Sequence, residues 1–270
     1  MALALTIRET QLNATDANAP DVTSEAFTPS NNSLLGVLVT SQNEGTGQTS
    51  PTISGGSLTY TSRAKARSGG NFAMWAELFT APVGTGASMQ VTVDNGATSF
   101  GAVAVAVVDL TGYDTTTPTG VNLQAVTGSR GGAYSPALSG TSAADSIVLI
   151  AGCTDVGTAT KHASWTDIYT GSAAAGGTDH KFQMAYRLGA LTTADWAALD
   201  SSFSTAAAAI EIKAAAGGAA TSKPFRRRST RFFTRGFSFA AAPPRLIVPK
   251  HKLIIPPPIP SRSPPQWLQR

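Results

Sequence analysis

The chain has 270 residues, of which 42% are hydrophobic and only 13% are charged. A single cysteine excludes a disulfide within the chain, and Thr, Ser, Gly and Ala stand where surface helices would carry Glu and Lys, a composition that suits a β-protein with many turns. No run reaches the roughly 18 apolar residues that a transmembrane helix needs, so we expect no membrane partner.

Short runs of alternating apolar and polar side chains recur along residues 1–213, the pattern typical of half-buried strands. Gly, Pro, Asn and Asp separate these runs, as turn residues do. The predicted strands are residues 3–7, 34–40, 58–67, 72–79, 89–93, 100–110, 121–126, 147–153, 181–188 and 203–213. We therefore predict an all-β fold, an antiparallel β-sandwich of the jelly-roll or immunoglobulin-like type, with an extended C-terminal arm.

Few residues of the body favour a helix. One short helix is predicted over residues 192–199, with a Thr as its N-cap. Two segments, 42–57 and 114–146, are predicted to be long loops, the second of which includes the strand 121–126. Cys153 lies in an apolar run, and we expect its thiol to be buried and to pack as a small apolar group.

The last 52 residues differ from the rest of the chain in charge. The whole chain has 20 basic and 16 acidic residues, and residues 219–270 hold eleven of the basic and none of the acidic ones. Residues 1–218 therefore carry nine basic and sixteen acidic residues, a net charge of −7. We divide the chain into a body (1–213), an Ala/Gly-rich hinge (214–222) and a basic, proline-rich arm (223–270).

The arm combines features that predict attachment to a partner. Its prolines favour an extended polyproline conformation, and its first half interleaves Arg with Phe. The predicted partner-binding residues are Arg226, Arg227, Arg228, Arg231, Phe232, Phe233, Arg235, Leu246, Ile247, Val248, Leu253, Ile254, Ile255 and Trp267. A solvated basic tail, a membrane-surface segment and a nucleic-acid grip are alternatives. The apolar islands fit a protein groove better than a phosphate backbone, so protein docking is favoured and nucleic acid is secondary.

No pattern in the body predicts catalysis, and we predict neither enzymatic activity nor a cofactor. His162, His180 and His251 lie in separate segments without metal-ligand spacing, and there is neither a nucleophile elbow nor a phosphate-binding loop. Two alternatives stay open. One is a cell-wall hydrolase that acts through two of the sixteen acidic residues, none of which stands out. The other is an aromatic sugar-binding surface, although tryptophans in a β-sandwich more often belong to the core. The residues that would form this surface are Trp75, Trp165, Tyr169 and Trp196.

Four segments of the body carry a recognisable pattern: 26–39, which reads AFTPSNNSLLGVLV and enters an apolar strand, 55–60, 72–82 and 91–108. Together they resemble tailed-phage virion proteins of the minor tail or structural type. The first segment is similar to the family pattern F-T-P-P-x-N-S-L-L, with Ser30 in place of the second proline. The resemblance spans residues 20–213, does not include the arm, and implies a β-sandwich module of a virion.

These features lead to one functional expectation and one alternative. We expect a non-enzymatic virion structural protein, a minor tail or capsid decoration protein, whose partners are capsid or tail subunits and which forms a homo-oligomer. The alternative is a carbohydrate- or receptor-binding adhesion module of the virion. Residues 1–11 lack the pattern of a signal peptide, which agrees with assembly into virions in the host cytoplasm.

Overall fold

The computed structural model describes a body built almost wholly of β-structure. The residues that it describes are 2–13, 21–44, 49–68, 72–95, 101–127, 130–134, 137–155, 158–161, 163–175, 178–194, 197–201 and 205–216. Within these residues there are sixteen strands and no helix. Every strand pair is antiparallel.

The strands fall into two consecutive sets of eight. The first set is β1 (Ala4–Asn13), β2 (Val22–Thr23), β3 (Leu34–Glu44), β4 (Thr52–Ser54), β5 (Thr61–Arg67), β6 (Phe72–Pro82), β7 (Thr92–Asp94) and β8 (Gly101–Thr111). The second set is β9 (Thr119–Thr127), β10 (Arg130–Tyr134), β11 (Ile147–Asp155), β12 (Thr158–Lys161), β13 (Thr166–Ala175), β14 (Thr178–Leu188), β15 (Ala197–Ser201) and β16 (Thr205–Ile212).

Each set builds one five-stranded and one three-stranded sheet. The first five-stranded sheet has the order β1-β8-β3-β6-β5, and the second has the order β9-β16-β11-β14-β13. The three-stranded sheets are β2-β7-β4 and β10-β15-β12. Adding eight to every label of the first set gives the second set, so the fold is an internal duplication of one eight-stranded unit.

The duplication extends to backbone detail. In the first half a bulge at Arg63 interrupts the pairing of β5 with β6, and in the second half a bulge at Ile168 interrupts β13 and β14 at the equivalent position. Ser33 precedes the central strand β3 and donates through Oγ to the Ser30 carbonyl oxygen at 2.8 Å. Ser146 precedes β11 and donates in the same way to Ala143 at 2.7 Å.

The two five-stranded sheets pack face to face around the main hydrophobic core. Alternate residues of their strands fill this space, with Leu38, Leu78 and Phe182 among the fully buried side chains. Strand β3 packs across β11, β5 across β9, and β13 across β1. β3 and β11 are equivalent strands, and the contact of β13 with β1 repeats the contact of β5 with β9. This is the arrangement that a two-fold relation between the halves requires. Since both sheets are antiparallel and lie face to face, the predicted β-sandwich is confirmed.

Two further clusters cover the outer faces of the sandwich. Val91 and Val93 lie in the cluster on the outside of the first sheet, together with Val103 and Val105 of β8. Outside the second sheet, Trp165 lies in a cluster with Ile150 and its neighbours. All ten residues from Gly101 to Leu110 of β8 are buried, because that strand is covered on both faces.

The structure corrects two predictions about local structure. The helix predicted over 192–199 is wrong, because Ala197–Ser201 forms β15 and pairs with both β10 and β12. The loops predicted over 42–57 and 114–146 contain strands in addition to the one predicted at 121–126. β15 is alanine-rich, and its pairing on both sides outweighs the helical preference of alanine.

Candidate interaction surface

The arm and its fourteen predicted partner-binding residues, from Arg226 to Trp267, lie outside the described residues. The boundaries predicted for body, hinge and arm stay predictions. A candidate site that is described by its side-chain geometry therefore lies on the surface of the body.

The predicted sugar-binding aromatics do not come together on this surface. Trp75 is 6% exposed on the outer side of β6, and Trp165 is 2% exposed in the cluster outside the second sheet. Tyr169 is half-buried and packs against the core between the sheets, while Trp196 lies outside the described residues. Two of the three described members of this set are core residues, in different layers of the fold.

The thiol and histidine described by the structure are both buried. Cys153 is 2% exposed, as predicted, and its Sγ donates to the carbonyl oxygen of Trp75 at 3.2 Å, in the opposite sheet. His180 is fully buried, whereas His162 and His251 lie outside the described residues. Among the residues that the structure describes, no three His, Cys, Asp or Glu side chains are grouped so that they could hold a metal ion.

Two buried carboxylates occupy equivalent positions in the halves. Asp109 of β8 is 1% exposed and accepts hydrogen bonds from the Ser30 amide at 2.8 Å and from Arg8 Nη2 at 2.6 Å. Glu211 of β16 is 3% exposed and accepts from the Ala143 amide at 2.6 Å. Both carboxylates thus hold the turn before the central strand of their half, which gives them a structural role.

Burial and hydrogen bonding act in opposite directions on Asp109. Burial by itself raises the pKa of a carboxyl group, but the hydrogen bonds from Arg8 and Ser30 favour the ionised form and leave the pKa of Asp109 below its ordinary value. The carboxylate is therefore charged at neutral pH. It forms a salt bridge with Arg8, whose side chain is 27% exposed.

The outer face of β5 and β6 carries a polar cluster of Ser62, Lys65, Arg67, Trp75 and Glu77, and Arg63 lies beside it in the bulge; we call these six residues the basic edge. Glu77 is 1% exposed at its centre. One carboxylate oxygen accepts from Ser62 Oγ at 2.5 Å, and the other accepts from Trp75 Nε1 at 2.9 Å. These two bonds fix the indole ring and the edge strand against each other.

Three of the five residues from Arg63 to Arg67 are cationic. The Arg67 guanidinium carbon lies 5.7 Å from the centroid of the Trp75 ring, within cation–π distance. Lys65 is exposed and pairs in register with Glu77. Arg63 occupies the bulge and donates through Nε to Thr80 Oγ1 at 2.8 Å. The edge therefore presents positive charge on a body whose net charge is negative.

A shallow groove of about 300 Å³ runs along this edge, lined by Ser62, Arg63, Ala64 and Lys65. Because β5 is the last strand of its sheet, its backbone on this side is paired with no strand of the described residues. An open strand edge offers alternating amide donors and carbonyl acceptors. Cations beside an open edge can hold an anionic segment in an extended conformation.

The alternation of residues 58–67 predicts a strand but does not predict the basic edge. The spacing Arg63-x-Lys65-x-Arg67 holds three of the nine basic residues of the body. That spacing was the available signal. The segment 58–60 precedes the strand, and the bulge at Arg63 changes the alternation that the sequence predicts.

Comparison with known proteins identifies no relative. No protein-family model, no curated protein and no solved structure matches the chain. In the part of the chain that the structure describes, no helix is long and apolar enough to span a membrane.

Proposed function

We propose that this chain is a structural protein of a phage particle, either a minor tail protein or a capsid decoration protein, whose β-sandwich body is displayed and whose C-terminal arm anchors it. The observation that carries the proposal is the charge division between the arm, with eleven basic and no acidic residues, and residues 1–218, with a net charge of −7. A basic extended segment binds acidic or apolar grooves between subunits, while the acidic body is repelled from the acidic grooves.

The features of the described body support the role of a displayed structural module better than they support catalysis. Its large side chains fill a sandwich that is covered on both outer faces, and the groove along the basic edge is shallow. A module of this kind contributes area and shape to an assembly. Its partners in this proposal are capsid or tail subunits, and copies of the chain associate around a symmetry axis of the particle.

Truncation after Gly218 tests the anchoring role. The truncated protein is expected to keep the circular dichroism spectrum and unfolding midpoint of the full chain, because the sixteen described strands and the core that they form lie before residue 213. It should be absent from purified particles when it is supplied in place of the full-length protein, as detected by immunoblotting.

A matched pair of arm variants locates the anchor. Replacing Arg226, Arg227 and Arg228 by Gln removes three charges and keeps the arm length, whereas deleting residues 243–270 removes the apolar islands. Protein docking through the islands predicts a greater loss of incorporation from the deletion than from the Gln variant. Normal incorporation of the Gly218 truncation would show that the arm is not the anchor.

A further inference from the structure

The internal duplication supplies a comparison that separates the basic edge from the requirements of the fold. β13 is the equivalent of β5: it is also the last strand of its sheet and carries the same bulge. Its sequence contains no Lys or Arg and one Asp. Cations are a common means of protecting open strand edges, but the second half leaves the same edge without them.

The supporting residues differ in the same way. Opposite Thr170 and Ser172, which take the places of Lys65 and Arg67, the second half has Gln183 and Lys181 where the first half has Glu77 and Trp75. Gln183 is as buried as Glu77. The buried carboxylate, the fixed indole and the exposed cations therefore form a set that belongs to the first half alone.

We propose that β5 is a docking edge for an extended acidic segment of a partner protein, which adds to the sheet as a further strand. Its backbone pairs with residues 64–67, beyond the bulge, and its Asp or Glu side chains at alternate positions face Lys65 and Arg67. In both strands, residues two positions apart are separated by about 6.6–6.8 Å. The spacing of the acidic side chains therefore matches that of Lys65 and Arg67. Strand addition of this kind takes affinity from the main chain and specificity from alternate side chains.

Charge and burial favour an acidic protein segment over a nucleic acid. Single-stranded nucleic acids are held by exposed aromatic rings on which bases stack, but Trp75 is only 6% exposed and lies beside Arg67. The open main chain of β5 has no counterpart in a phosphate backbone. An extended peptide uses both the cations and the strand edge.

A photo-crosslinking experiment on the full chain tests this proposal. The probe is a synthetic peptide, Thr-Glu-Val-Glu-Val-Glu-Thr, with a terminal benzophenone, and cross-linked sites are mapped by mass spectrometry so that binding to the basic arm is counted separately. Cross-links are expected on residues 61–67. The Lys65→Gln/Arg67→Gln variant should lower their yield about fivefold, as two exposed ion pairs warrant.

The equivalent edge of the second half gives a matched control. Thr170→Glu/Ser172→Glu lowers the net charge by the same two units at exposed positions of β13, and it should leave the cross-linking at β5 unchanged. A peptide with N-methyl groups on alternate residues keeps its charges but cannot pair as a strand, and it should fail to compete.

Three results would overturn the proposal. They are cross-links confined to residues 223–270, an equal loss of yield in both double variants, and full competition by the N-methylated peptide. Displacement by a poly-dT oligonucleotide at lower concentration than by the unlabelled peptide would instead identify the edge as a nucleic-acid surface.

Discussion

Asp109 is the residue whose chemistry has the clearest effect on stability. Asp109→Asn removes charged hydrogen bonds at a buried site and should lower the free energy of unfolding by about 1.5–3 kcal/mol. Urea denaturation at pH 7 measures this change. Asp21→Asn makes the same chemical change at an exposed position and should have little effect. Equal effects of the two substitutions would contradict the role given to Asp109.

The lowered pKa of Asp109 also sets a pH dependence. A carboxyl group whose pKa is lower in the folded than in the unfolded chain stabilises the fold fully above its unfolded pKa, about 3.9, and this contribution is lost as the pH falls through the folded pKa. The difference in stability between the parent and Asp109→Asn should therefore shrink as the pH drops below about 4. A difference that is constant from pH 7 to pH 2.5 would show that ionisation is not its source.

At the level of the element, the turns before β3 and β11 should lose similar amounts of stability when their serines are replaced. Ser33 and Ser146 are both fully buried and each closes its turn with one hydrogen bond to the carbonyl three residues earlier. Ser33→Ala and Ser146→Ala should each cost about 1 kcal/mol, the usual net value of such a bond. Thermal unfolding of both variants provides the measurement, and a several-fold difference between them would show that the two turns are not energetically equivalent.

Individual strands could be predicted from the sequence where burial alternates or is continuous. The apolar runs of β3, β8 and β11 predicted these strands, because β-branched and small apolar residues fit strands that are covered by other layers. β15 could not be predicted, because its structure depends on partners that lie 36 to 71 residues earlier in the chain (Lys161 with Ala197, and Arg130 with Ser201). The basic edge was also missed, since which side chains of β5 share a face depends on the bulge at Arg63.

The duplication escaped prediction for a related reason. Between the turns that precede β3 and β11, the shared sequence is limited to Thr, four intervening residues, Ser and two apolar residues, at 28–35 and 141–148. Backbone pairing preserves the unit through hydrogen bonds that any residue can make, so strand order and bulges are retained where side chains diverge. A search for repeats at a spacing near 105–113 residues, guided by that short motif, was the available route.

At the scale of the whole molecule, the two halves of the body should unfold together, because each five-stranded sheet buries its inner face against the other. Residues 1–114 and 115–270, expressed separately, are therefore expected to aggregate or stay unfolded, and to recover native structure when they are expressed together. Size-exclusion chromatography and far-UV circular dichroism distinguish these outcomes.

Cleavage of the folded chain serves as the control for this fragment experiment. A protease site inserted at the exposed residues 115–117 can be cut after folding, and the two pieces should then remain associated with Cys153 inaccessible to thiol reagents. Independent folding of either half alone would contradict the dependence of one sheet on the other.

Gly36 and Leu149 hold equivalent positions in the two central strands, and they lie against each other between the sheets. A Cβ built on Gly36 would lie 3.4 Å from Leu149 Cδ1 and 2.9 Å from Val108 Cγ2. Because the two-fold relation brings these equivalent positions together, two leucines would compete for one space and two glycines would leave it empty. One small and one large residue fill it once, so the two halves are complementary parts that cannot exchange places.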